Sequence, residues 1–134
     1  REVVAALCPR RIGHGVRTAE DPGLLDRLIA EGVAFEVCPT SNVHLGVYTD
    51  FSQVPLPSLI SAGATVALSA DDPLLFRSRL VEQYAQARDA FGLSDRELAG
   101  LARQSIEASL APSSSKLRWF ARIEEWLAAP PAAA

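Results

Sequence analysis

A pattern of helix end, glycine and short apolar stretch occurs at residues 28–37 and again 31 residues further on, at 59–68. In each copy the glycine ends an apolar helical stripe, and an apolar run without strong alternation follows it. Runs of this kind are typical of parallel strands that are covered on both faces. The repeat therefore predicts strands at 34–37 and 65–68, each preceded by a helix.

A third strand is predicted to end at Arg11-Ile12-Gly13. Strands that alternate with helices imply right-handed crossovers and a parallel sheet with helices outside it. A doubly wound sheet and part of a barrel both satisfy this order, but Gly13-His14-Gly15 lacks the third glycine of a dinucleotide-binding loop, which favours the barrel. Because a complete (β/α)8 TIM barrel needs about 250 residues, the 134 residues are predicted to form part of one, an α/β fold with about three parallel strands.

The sequence after the third strand is wholly helical in its patterns. A capping box at Ser94-Asp95-Arg96-Glu97 starts one helix, and Pro112 with three serines separates it from the last helix. Apolar stripes at helical spacing predict one helix before the capping box and one after Pro112. The first stripe consists of Leu80, Tyr84, Ala87 and Phe91, and the second of Leu117, Phe120, Ile123 and Leu127. We therefore expect extra carboxyl-terminal helices, followed by a frayed tail at 130–134.

Composition excludes several classes of function. A net charge of −3 and a pI of about 5.3 leave no basic stripe for a nucleic-acid backbone. The chain has no apolar run of membrane-spanning length and no secretory leader at its start, so we expect neither membrane insertion nor secretion. Its two cysteines lack a metal-type spacing, which favours reduced thiols in a cytoplasmic protein, with a single disulfide as the alternative.

Polar residues follow each predicted strand at its carboxyl end. His14 follows the first, Cys38-Pro39-Thr40-Ser41-Asn42 the second and Ser69-Ala70-Asp71-Asp72-Pro73 the third. In a barrel these ends share one rim, where active sites lie. One aspartate can cap the next turn, but two adjacent acids at the end of a buried strand favour a metal ligand beside a substrate-binding group. His14 and Asp71 are ligand types that suit zinc, although a catalytic zinc needs at least three protein ligands.

These three segments resemble, in order and spacing, three successive motifs of the adenosine deaminase family. The motifs read Arg11-Ile12-Gly13-His14-Gly15, Glu36-Val37-Cys38-Pro39-Thr40-Ser41-Asn42 and Leu68-Ser69-Ala70-Asp71-Asp72-Pro73. The likeness continues through Phe91-Gly92-Leu93-Ser94 and Glu107-Ala108-Ser109 and so covers nearly the whole chain. The resemblance implies a zinc-dependent hydrolase that deaminates a small-molecule substrate, a 6-aminopurine nucleoside. Adenosine is the default substrate.

The resemblance also implies roles for three residues. His14 matches the catalytic histidine that orients the nucleophile and stabilises developing charge. Asp71 matches the aspartate that binds zinc, and Asp72 matches its neighbour, which hydrogen-bonds N7 of the purine. Ser69-Ala70 departs mildly from the residues that the family usually has before the two aspartates.

Two family motifs do not occur in this sequence. They are a His-x-His motif, which supplies two zinc ligands, and a His-Ala-Gly-Glu motif, which supplies a third ligand and the proton-donating glutamate. We therefore expect residues 1–134 to be the carboxyl-terminal part of a single metallo-dependent hydrolase domain, with further zinc ligands in a missing amino-terminal part. Alone, the chain is expected to show no appreciable zinc affinity or turnover.

Other interpretations stay open at this point. Within the family, adenine and aminodeoxyfutalosine are alternative substrates. An inactive fragment that binds a partner through the exposed edges of an incomplete barrel is a second hypothesis, and a metal-dependent hydrolase of amides or esters is a third. The sequence leaves an oligomer possible. It favours a solvent-facing or rim position for His44, on a loop after Asn42, and a buried thiol for Cys38.

Overall fold

The computed structural model describes residues 1–130, within which lie three strands and seven α-helices. In chain order these are α1 (Glu2–Leu7), β1 (Arg11–Gly13), α2 (Pro22–Ala30), β2 (Ala34–Val37), α3 (Pro39–His44), α4 (Leu56–Ser61), β3 (Thr65–Leu68), α5 (Leu80–Phe91), α6 (Asp95–Glu107) and α7 (Ser113–Ala128). The three predicted strands are confirmed, as are the helices before β2 and β3. The frayed tail that we expected at 130–134 lies, beyond Pro130, outside the described residues.

The three strands form one parallel sheet in the order β1-β2-β3. In the centre, Phe35 of β2 pairs with Ile12 on one side and with Val66 on the other. Helix α2 connects β1 to β2, and α4 precedes β3, as parallel pairing requires. The α/β fold expected of part of a barrel is therefore confirmed, and the carboxyl ends of all three strands lie along one edge.

Local signals explain how α2 begins and ends. The Asp21 carboxylate accepts a hydrogen bond from the Leu24 N–H at 3.2 Å, and Pro22 occupies the first turn, where its missing N–H costs nothing. Arg1 binds the same carboxylate at 2.6 Å, which connects α1 to the start of α2. After the helix, Gly32 has a φ of +70°, a value that glycine adopts without steric cost.

The core lies between the sheet and the helices that cover it. Phe35, Leu28, Leu56, Leu59 and Val66 are completely buried and belong to one continuous cluster. Arg11, the first residue of β1, donates to Glu36 of β2 at 2.8 Å and to the carbonyl oxygen of Ala108 at 2.6 Å. These contacts hold β1, β2 and the end of α6 in register.

The carboxyl-terminal helices pack against β3 through α6. Gln104 Oε1 accepts a hydrogen bond from the Val66 N–H at 2.7 Å and so satisfies a donor on the outer side of β3. The capping box predicted at the start of α6 is confirmed, because Ser94 and Glu97 exchange side-chain to backbone hydrogen bonds. The apolar stripe predicted on α7 is half-buried rather than buried, and its Leu117 is exposed.

Two segments expected to be irregular are helical instead. Residues after β2 form α3, which has Pro39 in its first turn, so His44 ends a helix and does not lie on a loop. The three serines after Pro112 form the first turn of α7, where the Ser115 and Lys116 N–H groups donate to the Pro112 carbonyl. Residues 108–112 separate α6 from α7 as predicted, and the serines join α7 because serine has only a modest helix penalty. No helix within residues 1–130 is long and apolar enough to cross a membrane.

The burial pattern predicts a matched pair of leucine substitutions. We expect Leu59→Ala to lower the free energy of unfolding by about 2–5 kcal/mol, because it leaves a cavity in the core. Leu110→Ala should change it by less than about 0.5 kcal/mol, since Leu59 is 0% and Leu110 is 94% exposed. Urea unfolding followed by circular dichroism measures both, and equal losses would contradict the assigned core.

Candidate active site

The carboxyl ends of the strands bring together residues from three separate segments. His14 directly follows β1, Cys38 directly follows β2, and Asp71 lies shortly after β3. The Nε2 atom of His14 is 3.5 Å from Oδ2 of Asp71. One ligand atom from each of His14, Cys38 and Asp71 lies within 4.8 Å of the other two. His14 and Asp71 therefore lie next to each other in the fold.

Both residues of this pair have a left-handed backbone conformation. The φ angle is +60° at His14 and +58° at Asp71, which costs a residue with a β-carbon about 1–2 kcal/mol. Such strain persists where the surrounding structure enforces it, and it is concentrated at functional sites. Its occurrence at both residues of one pair supports a functional role for this edge of the sheet.

Asp71 is held by neighbours from two segments. The Ser41 hydroxyl donates to Asp71 Oδ2 at 2.6 Å, and the Asp71 N–H donates to Ser69 Oγ at 3.2 Å. Ser41 is fully buried in α3, whereas the Asp71 side chain is 33% exposed. The carboxylate thus has a fixed orientation and an open side. Sequence reasoning did not single out Ser41, although it belongs to the polar run after β2.

His14 is held through its other ring nitrogen. The Nδ1 atom lies 2.8 Å from Oδ1 of Asn42, a residue of α3 that is only 1% exposed. Nδ2 of Asn42 is buried and has no hydrogen-bond partner among residues 1–130. Sequence reasoning missed this contact as well. It found Asn42 as part of a motif, but the motif alone does not show which side chain faces His14.

Asp72 has different hydrogen-bond partners from Asp71. Its Oδ1 accepts hydrogen bonds from the Leu74 and Leu75 N–H groups at 2.9 and 2.8 Å, so it caps the turn that Pro73 begins. No helix follows this turn directly, since α5 starts only at Leu80. Asp72 itself is exposed, which leaves its second carboxylate oxygen open to a ligand.

Cys38 is buried, as its position after an apolar strand indicated. Burial raises the pKa of its thiol to about 11, and the nearby Asp71 carboxylate acts in the same direction. The thiol is therefore protonated at neutral pH and is a poor nucleophile.

The chemistry of these donors suits zinc, the metal that the sequence motifs imply. A carboxylate oxygen and an imidazole nitrogen are both zinc ligands, and a thiol can become one after losing its proton. Asp71 is the residue best placed to bind the ion, because its carboxylate is oriented and partly open.

A cavity of about 390 Å³ begins at His14. Gly15, Val16, Arg17 and Asn42 are among the residues that line it. Its volume is in the range of small-molecule sites. A larger apolar groove of about 530 Å³ lies between α5, α6 and α7, lined by residues such as Trp126 that do not belong to the strand ends. Neither Asp71 nor Asp72 lines the smaller cavity, so we place the candidate active site at the contact of His14 with Asp71, beside that cavity.

Comparison with known proteins identifies the family. A family model described as adenosine deaminase matches residues 1–126. The chain belongs to the adenosine deaminase family. A curated protein of Streptomyces coelicolor, named as an adenosine/adenine deaminase, is 56% identical over 119 residues, which are 89% of this chain and 35% of the relative. The adenine deaminase of Agrobacterium fabrum is 44% identical over 115 residues, 86% of this chain and 35% of that protein.

Solved structures of family members superimpose closely on the chain. The crystal structure of an adenine deaminase from Arthrobacter aurescens gives a TM-score of 0.91 at 34% identity, over 96% of this chain and 39% of that one. The N6-methyl-AMP deaminase of Arabidopsis thaliana gives a TM-score of 0.80 at 28% identity, over 92% of this chain and 37% of that one. This adenosine deaminase family member thus spans between a third and two-fifths of the length of the relatives that it matches.

The close approach of Gly15 to β2 predicts the cost of adding a methyl group beside the active site. A β-carbon at Gly15 would lie 2.8 Å from Phe35 Cδ1, whereas one at Gly32 would meet nothing within 4 Å. Both glycines have a positive φ, so both Gly→Ala changes should cost about 1–2 kcal/mol of backbone strain. Gly15→Ala should cost about 1–3 kcal/mol more, because of the clash. Urea unfolding tests this difference, and equal losses in the two variants would refute it.

The two cysteines should differ sharply in reactivity. At about pH 8, iodoacetamide should alkylate the exposed Cys8 at least about 100-fold faster than Cys38. Cys38 is buried, and this pH is well below the raised pKa of its thiol, about 11. Mass spectrometry of tryptic peptides over time gives both rates. In denaturing urea the two rates should converge, and similar rates in the native protein would contradict the burial of Cys38.

Proposed function

We propose that this chain supplies part of the active site of a zinc-dependent aminohydrolase, which removes the 6-amino group of a purine as ammonia. The observation that carries the proposal is the contact of His14 Nε2 with Asp71 Oδ2 at 3.5 Å, at the carboxyl edge of a parallel sheet. In barrel enzymes this edge carries the catalytic residues. Membership of the adenosine deaminase family supports the same reaction class.

In this proposal Asp71 holds the zinc ion through its carboxylate. When bound, zinc supplies a water nucleophile that is active near neutral pH. The Ser41 hydroxyl fixes the carboxylate by donating to Oδ2 at 2.6 Å, so that the ligand oxygens do not rotate. The remaining ligands would come from outside this chain, because the chain covers 35% of the Streptomyces coelicolor relative.

In this proposal His14 accepts a proton during the reaction, and Asp72 binds the purine. His14 Nε2 faces the Asp71 carboxylate, where it can hold a proton that moves during attack at C6. Asp72 offers its open carboxyl oxygen to N7 of the purine. The hydrogen bond between them needs one proton, which either the carboxyl group or N7 of the ring can supply. The bond from its Oδ1 to the Leu75 N–H, at 2.8 Å, keeps the carboxyl group in place meanwhile.

We propose adenine as the preferred substrate, with adenosine as the second candidate. Relatives that are 44% identical to this chain in Agrobacterium fabrum and 34% identical in Arthrobacter aurescens are named adenine deaminases. The Streptomyces coelicolor relative is named for both substrates, which keeps adenosine in consideration.

A chimeric enzyme tests the proposed reaction. The preceding part of the Streptomyces coelicolor relative is joined to this chain in place of its own matching 119 residues. We expect the chimera to release ammonia from adenine, and more slowly from adenosine, while the chain alone should release none from either. The unaltered relative is the positive control. If it is active and an equally stable chimera acts on neither purine, the proposal fails.

Substitutions in the chimera separate the two aspartates. Asp72→Ala should lower kcat/KM for adenine by about 10–100-fold, the effect of losing a substrate hydrogen bond, and leave the zinc content unchanged. Asp72→Asn should likewise lose purine deamination and keep its zinc, because an amide can cap the turn but cannot exchange a proton with N7 as a carboxyl group can. Asp71→Asn should lower the zinc content, measured by elemental analysis.

Asp26→Asn, an exposed change on α2, is the control for loss of charge. Full activity in Asp72→Ala would exclude Asp72 from purine binding, and an unchanged zinc content in Asp71→Asn would exclude Asp71 as a ligand.

A further inference from the structure

We propose that Asn42 is a positioning residue that fixes the tautomer of His14, so that the proton of the neutral imidazole resides on Nδ1 and Nε2 faces Asp71 as a base. The inference deepens the proposed function and depends on it for the catalytic use of His14. It is drawn from the hydrogen bond between His14 Nδ1 and Asn42 Oδ1 at 2.8 Å.

The chemistry of the amide decides where the proton lies. An amide oxygen accepts hydrogen bonds but cannot donate them, so a bond between Oδ1 and Nδ1 requires the proton on Nδ1. The hydrogen bond that one ring nitrogen makes determines the protonation of the other. Nε2, at 3.5 Å from Asp71 Oδ2, then carries the lone pair.

The surroundings of Asn42 keep its side chain in place. The residue is 1% exposed and lies in α3, and its backbone carbonyl accepts from the Val47 N–H at 2.9 Å. The neighbouring Ser41 holds Asp71 by a hydrogen bond of 2.6 Å. One turn of α3 thereby fixes both His14 and Asp71, each by a single side chain.

The unpartnered Nδ2 atom of Asn42 supports a functional reason for the amide. Among residues 1–130 this buried nitrogen makes no hydrogen bond, which is unfavourable for stability. A rotated amide would donate Nδ2 to Nδ1 and place the imidazole proton on Nε2. That orientation would have to reverse whenever the ring took up a second proton, because this proton would go to Nδ1, which would then need an acceptor. The observed orientation serves both states of the ring.

Nitrogen NMR of the 15N-labelled chain measures the tautomer directly. The sequence contains two histidines, so the ring signals of His14 and His44 can be assigned by one His44→Gln variant. In the neutral ring we expect a protonated Nδ1 and an unprotonated Nε2 at His14, because Nδ1 lies 2.8 Å from the Asn42 amide oxygen. His44 is exposed and its ring contacts Phe76 at a tilt of 34°. Its ring signals serve as the reference for the His14 signals in the same spectrum.

Two variants at position 42 separate tautomer control from packing. Asn42→Leu removes the acceptor at similar volume and should change the His14 tautomer ratio towards Nε2–H by about tenfold, equivalent to about 1.4 kcal/mol. Asn42→Asp keeps an acceptor and should keep the proton on Nδ1. The His44 signals should not change in either variant.

Three results would overturn the inference. They are a proton mainly on Nε2 of wild-type His14, a free-histidine tautomer ratio there, and an unchanged ratio in a folded Asn42→Leu protein. If Asn42→Leu does not fold, the wild-type and Asn42→Asp spectra decide the question. The measurement needs neither zinc nor substrate, so a chain that deaminates no purine can still confirm or refute the tautomer.

Discussion

Parallel pairing of three short strands is the constraint on which the rest of the structure depends. Because β2 pairs with β1 and β3 in parallel, the chain must cross the sheet between strands, and all three carboxyl ends lie at one edge. His14 and Asp71 are 57 positions apart in the sequence, yet their side chains meet there at 3.5 Å. A shift of register by one residue would turn the strand side chains to the opposite face and separate the pair.

The two ends of the strands have different tasks. Arg11, at the amino end of β1, forms an ion pair with Glu36 of the adjacent strand, and its bond to the Ala108 carbonyl adds the end of α6. At the carboxyl end, the left-handed conformations of His14 and Asp71 cost stability and place polar side chains near one another. Stabilising contacts at one end and strain at the other are what an active site on a rigid sheet requires.

Sequence reasoning predicted the fold well and the site in part. The strands and the capping box of α6 depend on neighbouring residues, so local patterns were sufficient. The motifs singled out His14 and Asp71, but the residues that hold them, Ser41 and Asn42, contact them across 30 and 28 positions of sequence. No periodicity encodes such contacts. The helix α3 that carries both residues was itself missed, because a single turn after a proline resembles a loop.

The adjacent aspartates show how one turn can give two carboxylates separate environments. The positive φ of Asp71 redirects the chain directly after β3, so its side chain faces His14 and receives the Ser41 hydroxyl. Asp72 then begins a turn, and its Oδ1 accepts hydrogen bonds from the Leu74 and Leu75 N–H groups. Two like charges in the same environment would raise the free energy of both. Separate hydrogen-bond partners therefore give two adjacent carboxylates different surroundings, with Asp71 held by Ser41 and Asp72 by the turn that follows it.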